Sequence, residues 1–117
     1  MNLFAIGIFF TLATFNVNFN VSENEANNLG QEVITNLNNL CEEKNKILCL
    51  PKIKLNRVVK STKKIVNGFL YDVGFDTNMG FLDMQVWKQE WPNMTSIHKY
   101  VLNNKDLIAS PVKYLNI

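Results

Sequence analysis

The chain has 117 residues and a net charge of +2. That length suffices for one domain around a single core and excludes two ordinary ones. The near balance of charge excludes a global electrostatic pull towards nucleic acid.

The first twenty residues differ from the rest. Leu3 to Phe15 is a nearly unbroken apolar run with no charged side chain. It is too short to span a bilayer as a helix and fits the central region of a secretory signal peptide. Residues 1–20 are therefore predicted to be a leader, cut between Phe15 and Ser22, although its start carries no Lys or Arg. The alternative is a buried N-terminal helix or strand. Residues 21–117 are then the mature chain, a single domain with a short C-terminal extension. Two glycosylation sequons, Asn20-Val21-Ser22 and Asn93-Met94-Thr95, agree with secretion.

Residues 23–30 are polar and lead into the predicted helix, which covers Gln31 to Asn45. Val33, Ile34, Leu37, Leu40 and Cys41 form one apolar stripe on it. Glu32 near its start, and Lys44 and Lys46 near its end, complement the helix dipole. Cys41 and Cys49 make an even count; in an oxidising compartment they are expected to pair, the alternative being two buried thiols. With one His they fall short of a structural zinc site, so no metal or cofactor is expected.

After Pro51 the apolar period changes to two. A long strand runs from Ile53 through Ile65 and Val66, with a bulge expected around Lys60 to Lys63. Asn67-Gly68 turns it back, a strong short-range signal for a β-hairpin, because both residue types accept positive φ. Phe69, Tyr71, Val73 and Phe75 line one face of the returning strand. A second turn covers Asp76 to Gly80. A third strand covers Phe81 to Gln89, with Leu82, Met84 and Val86 on one face. Glu90-Trp91-Pro92-Asn93 breaks it, and a fourth strand runs from Thr95 to Leu102. The tail beyond Asn103 is expected to be an extended surface segment. One amphipathic helix packed across an antiparallel sheet of four to five strands is an α+β fold.

Order of elements and motif residues together resemble the cystatin family, over roughly Gln31 to Asn103. The resemblance rests on Lys64-Ile65-Val66-Asn67-Gly68, where family members carry Gln-Val-Val-Ala-Gly, on the following strand with Tyr71, and on Trp91 in the second hairpin. Family members carry Pro-Trp there; here Glu90 precedes Trp91 and Pro92 follows it. Lys64 and Asn67 also depart from the pattern, no Gly stands near residues 18–24, and the usual C-terminal disulfides are missing.

The resemblance implies a cystatin-like fold and reversible inhibition of papain-like cysteine proteases of the cathepsin type. An N-terminal segment and two hairpin tips would form a wedge that occludes the active-site cleft without offering a scissile bond. The protease-binding residues would be Lys64, Ile65, Val66, Asn67, Gly68 and Trp91. A bulky residue at position 68 is expected to weaken inhibition without unfolding the domain. A glycan on Asn93 would sit two residues from Trp91. The mature protein is expected to be secreted, extracellular and monomeric, with no nucleic-acid or membrane partner.

A non-inhibitory secreted binding protein on the same scaffold is the alternative. For Trp91 the alternative is a ring folded back on the sheet. Lys44 to Lys64 holds eight Lys/Arg and no acid, which suggests either a basic binding stripe or a solvated outer face. Catalysis is not expected, because the only His, His98, needs a free thiolate from Cys41 or Cys49 to form a dyad.

Overall fold

The computed structural model describes residues 17–42 and 46–116. Most of the predicted leader, residues 1–16, lies outside that range, as does Lys44. Helix α1 spans Glu23–Leu40, so it starts eight residues before the predicted Gln31 and ends five before Asn45. The start is set by Ser22, whose Oγ accepts from the Glu25 backbone N–H at 3.1 Å. Glu23 and Glu25 then face the positive end of the helix dipole. Ala26 and Leu29 extend the stripe of Val33, Ile34 and Leu37 towards the N-terminus, and all five are buried. Asn24, Asn27 and Asn28, weak helix formers, masked this first half; packing of the apolar face overrides them.

The helix stops because the chain is pulled back against its last turn. Cys41 leaves helical geometry with ψ of 99° and forms the disulfide with Cys49, Cα–Cα 5.3 Å. Asn38 brackets Leu50, accepting from its N–H at 2.7 Å and donating to its carbonyl at 3.1 Å. No basic residue stands in the last helical turn, so Lys46 does not cap the dipole as expected.

The sheet comprises β1 (Phe19–Asn20), β2 (Leu55–Ile65), β3 (Gly68–Thr77), β4 (Gly80–Gln89), β5 (Met94–Leu102), β6 (Lys105–Asp106) and β7 (Val112–Leu115). Its order is β1-β2-β3-β4-β5-β6, with β7 also on β5, and the pairings are antiparallel. Among the described residues, seven strands replace the expected four to five. The added ones are two, two and four residues long, too short for a period of two to show. The tail is thus not merely extended on the surface: β7 pairs with β5 from Met94↔Leu115 to Ile97↔Val112. The irregularities of β2 fall between Leu55 and Arg57 and between Val58 and Lys60, earlier than the predicted bulge at Lys60 to Lys63. The adjacent apolar pair Val58-Val59 is where alternation breaks.

The core lies between α1 and one sheet face. Tyr71, Val73 and Phe75 of β3, Leu82, Met84 and Val86 of β4, and Ile97 and Tyr100 of β5 meet the helix stripe. Gly30 permits the close approach: a Cβ there would stand 2.7 Å from the Phe75 ring and 2.8 Å from Leu55. Two polar ties flank this contact. Glu25 accepts from Lys63 Nζ at 3.1 Å and from the Tyr71 hydroxyl at 2.9 Å. Glu32 accepts from Lys88 Nζ at 2.7 Å and from the Tyr114 hydroxyl at 2.9 Å. The Tyr71 hydrogen bond, then the Lys63 ammonium, outweigh partial burial and hold the Glu25 carboxyl below its ordinary value. Burial, then Glu25, pushes Tyr71 up to about 12.

Candidate functional site

The first tip is built as its residue types require. β2 ends at Ile65 and β3 begins at Gly68, with Asn67 at φ 43° and Gly68 at φ 102°. Gly68 serves a second purpose. It pairs with Gln89 of β4, and a Cβ on it would lie 2.0 Å from the Lys88 carbonyl oxygen. A bulky residue at 68 would therefore break the β3–β4 ladder as well as reshape the tip, which corrects the expectation that it would leave the domain intact. Ile65 and Val66 are both exposed. Alternation places Lys64 on the outer sheet face beside its cross-strand partner Leu70.

The second tip, residues 90–93, joins β4 to β5 through a cis Trp91–Pro92 peptide. Trp91 is 81% exposed, so its ring is not folded back on the sheet. The two tips stand side by side. Asn67 Nδ2 donates to the Trp91 carbonyl at 3.0 Å, and the Asn67 carbonyl accepts from the Glu90 N–H at 3.4 Å. Beneath them Trp87 Nε1 donates to the Val66 carbonyl at 2.8 Å. The structure thus brings Ile65, Val66, Asn67, Gly68 and Trp91 to one end of the sheet.

Both chain ends of the described domain reach the same end. Phe19 pairs with Lys63, and the Val21 N–H and carbonyl are held by Ser61 at 3.0 and 2.7 Å. This sets exposed Val17 and Phe19 alongside the stem of the first tip. Leu115, also exposed, pairs with Met94 beside the second tip. Neither β1 nor β7 was anticipated; the signal for β1 was the Ser22-x-x-Glu25 spacing, which starts a helix and forces the preceding residues to extend. Asn93 is exposed, and its Nδ2, the atom a glycan would take, donates to the Asn116 carbonyl at 3.3 Å.

The basic run loses its single-signed character in three dimensions. Arg57 pairs with Asp76, and Lys63 with Glu25. Lys60 lies 3.1 Å from Asp72 and 3.0 Å from Asp83, while Lys99 stands 2.8 Å from Asp83. The Lys60–Asp83 contact is ionic rather than an aligned hydrogen bond. Burial alone would raise the Asp83 carboxyl, but Lys99 and Lys60 outweigh it and hold it below its ordinary value. On the outer face Arg57, Lys60 and Lys99 are thus interspersed with Asp72, Asp76 and Asp83.

His98 is exposed, 6.2 Å from the Trp87 ring, and both cysteines are consumed by the disulfide. Among the described residues, no group of three or more His, Cys, Asp or Glu side chains is placed to hold a metal ion. No family model, no curated protein and no solved structure matches the chain.

Proposed function

We propose that this chain is a secreted, monomeric, cystatin-like inhibitor of papain-like cysteine proteases. It docks by the sheet end formed by Lys64–Gly68, Trp91 and the N-terminal segment from Val17 to Val21, which requires leader cleavage at the early end of the Phe15–Ser22 window, and needs no cofactor. The observation that carries this reading is the joining of the two tips into one edge by the Asn67–Trp91 hydrogen bond, with Trp91 held out in solvent. A convex edge of this kind suits a V-shaped cleft. The strands that carry the tips are tied into ladders, so the stems lose little conformational entropy on docking. Ile65, Val66 and Trp91 supply apolar area, and both tips are turns between antiparallel strands.

The second reading is a non-inhibitory binding protein that uses the same edge. Lys64, Asn67 and Glu90 favour it, because each departs from the residue expected at an inhibitory tip. Titrating papain and a cathepsin-L-type enzyme with the purified mature chain separates the two. Inhibition expresses the first reading, and it should persist as binding to papain whose active-site Cys has been alkylated with a small group. No inhibition at micromolar concentration rejects it in favour of the second.

A further inference from the structure

An exposed ring is only as well placed as its backbone. The β4–β5 ladder ends at Gln89↔Met94, so residues 90–93 lie beyond the strand pairing that frames them. Three of their backbone groups, the Glu90 N–H and the Trp91 and Asn93 carbonyls, are engaged from outside the second hairpin. On one side Asn67 takes the Glu90 N–H at 3.4 Å and donates to the Trp91 carbonyl at 3.0 Å. On the other side Asn116 donates its N–H to the Asn93 carbonyl at 3.1 Å and its Nδ2 to Asn93 Oδ1 at 2.9 Å. The Asn116 carbonyl accepts from Asn93 Nδ2 at 3.3 Å, and its Oδ1 accepts from the hydroxyl of fully buried Thr95.

We propose that Asn67 and Asn116 are positioning residues: two amide clamps, one from the first tip and one from the C-terminal segment, that preorganise the second tip and so present Trp91 in its binding shape. The proposal rests on the inhibitor reading for the identity of the partner, and on the hydrogen bonds alone for the clamp. It reverses the sense of Asn67 as a departure. A side chain that merely crowded the cleft would bind better when shortened; a clamp binds worse. A free tip that samples several shapes reduces apparent affinity by the fraction of molecules in the competent one.

The test compares Asn67→Ala, Asn67→Asp and Asn116→Ala with the parent chain. Asn67→Asp keeps the shape and the tolerance of positive φ and removes the donor, so it isolates the hydrogen bond from the backbone strain that Asn67→Ala adds. Amide order parameters of residues 90, 91 and 93 in the free protein should fall from the rigid range near about 0.85 towards about 0.6 or below. Binding to papain should weaken roughly 3- to 10-fold per variant, with the loss in association rate, while thermal unfolding of Asn67→Asp, a residue type that tolerates φ of 43°, stays at the parent value and that of Asn67→Ala falls through strain at that φ. Unchanged order parameters in both Asn67 variants overturn the clamp. Tighter binding by Asn67→Ala, or loosened tips with unaltered association, overturns its role in presenting Trp91. If the parent chain does not inhibit papain, the partner assignment falls, and the order parameters still decide the clamp.

Discussion

Trp91→Ala tests the binding edge most directly. Trp91 is 81% exposed, so most of its surface is available to a partner. A buried Trp contributes about 150–250 Å². At roughly 25 cal/mol/Å² this is about 4–6 kcal/mol before the cost of immobilising the side chain, about 0.5–1.5 kcal/mol. An exposed loop ring is unlike a core ring in one decisive respect: its removal leaves no cavity. The Trp91 carbonyl, which Asn67 holds, survives the substitution. Folding stability should therefore stay within about 0.5 kcal/mol of the parent, while affinity drops by about 3–4 kcal/mol, roughly 100- to 1000-fold. Active-site titration of papain, paired with urea unfolding of both chains, measures the two quantities separately. Equal inhibition by Trp91→Ala would refute the placement of the tip in the interface. A loss of stability above about 1 kcal/mol would refute the reading of Trp91 as a ring without a folding role.

Four further outcomes are expected. Tyr100→Phe should raise stability by about 1 kcal/mol in urea unfolding, because the buried Tyr100 hydroxyl has no hydrogen-bond partner among the described residues; a loss of similar size would show that the hydroxyl is satisfied. Glu25→Gln should be less stable than the parent at pH 6, and the gap should close on acidification. The Glu25 carboxyl is lowered in the fold, so its contribution is present above the unfolded-state value and is lost as pH falls through the folded one; a gap independent of pH from 6 to 2 would exclude the charged tie. Replacing Cys41 and Cys49 by Ser opens a short loop with sequence separation 8. It should cost about 2–3 kcal/mol by the chain-entropy estimate and lower Tm by roughly 10–20 °C in calorimetry; an unchanged Tm would refute this. A chain beginning at Glu23 should be about 2.5–4 kcal/mol less stable than one beginning at Val17, since it lacks buried Val21 and the Ser22 cap; equal unfolding midpoints would show that β1 and the cap contribute nothing.

The four long strands and the existence of one amphipathic helix were legible in the residues, because each depends on local information. Asn67-Gly68 specifies a turn through its own backbone preferences. The alternation of Tyr71, Val73 and Phe75, and of Leu82, Met84 and Val86, specifies which sheet face is buried. The helix was half legible: its stripe from Val33 to Leu37 shows, while its start needed Ser22 read together with Glu25, and its end needed Asn38 to find Leu50 twelve residues on. The candidate site residues Ile65, Val66, Asn67, Gly68 and Trp91 could be nominated one by one. Their assembly into an edge could not, since it depends on Asn67 reaching Trp91 across 24 residues and on Gly68 pressing against the Lys88 carbonyl. Short strands such as β1 and β7 carry no period of their own and exist only because a longer neighbour offers them hydrogen bonds. Charge followed the same division. The order of residues alone shows eight basic side chains between Lys44 and Lys64 with no acid among them, whereas the sheet register sets Asp72, Asp76 and Asp83 beside Arg57 and Lys60. Local preference is a property of neighbouring residues in the chain; proximity across strands is decided only when the whole sheet closes on its helix.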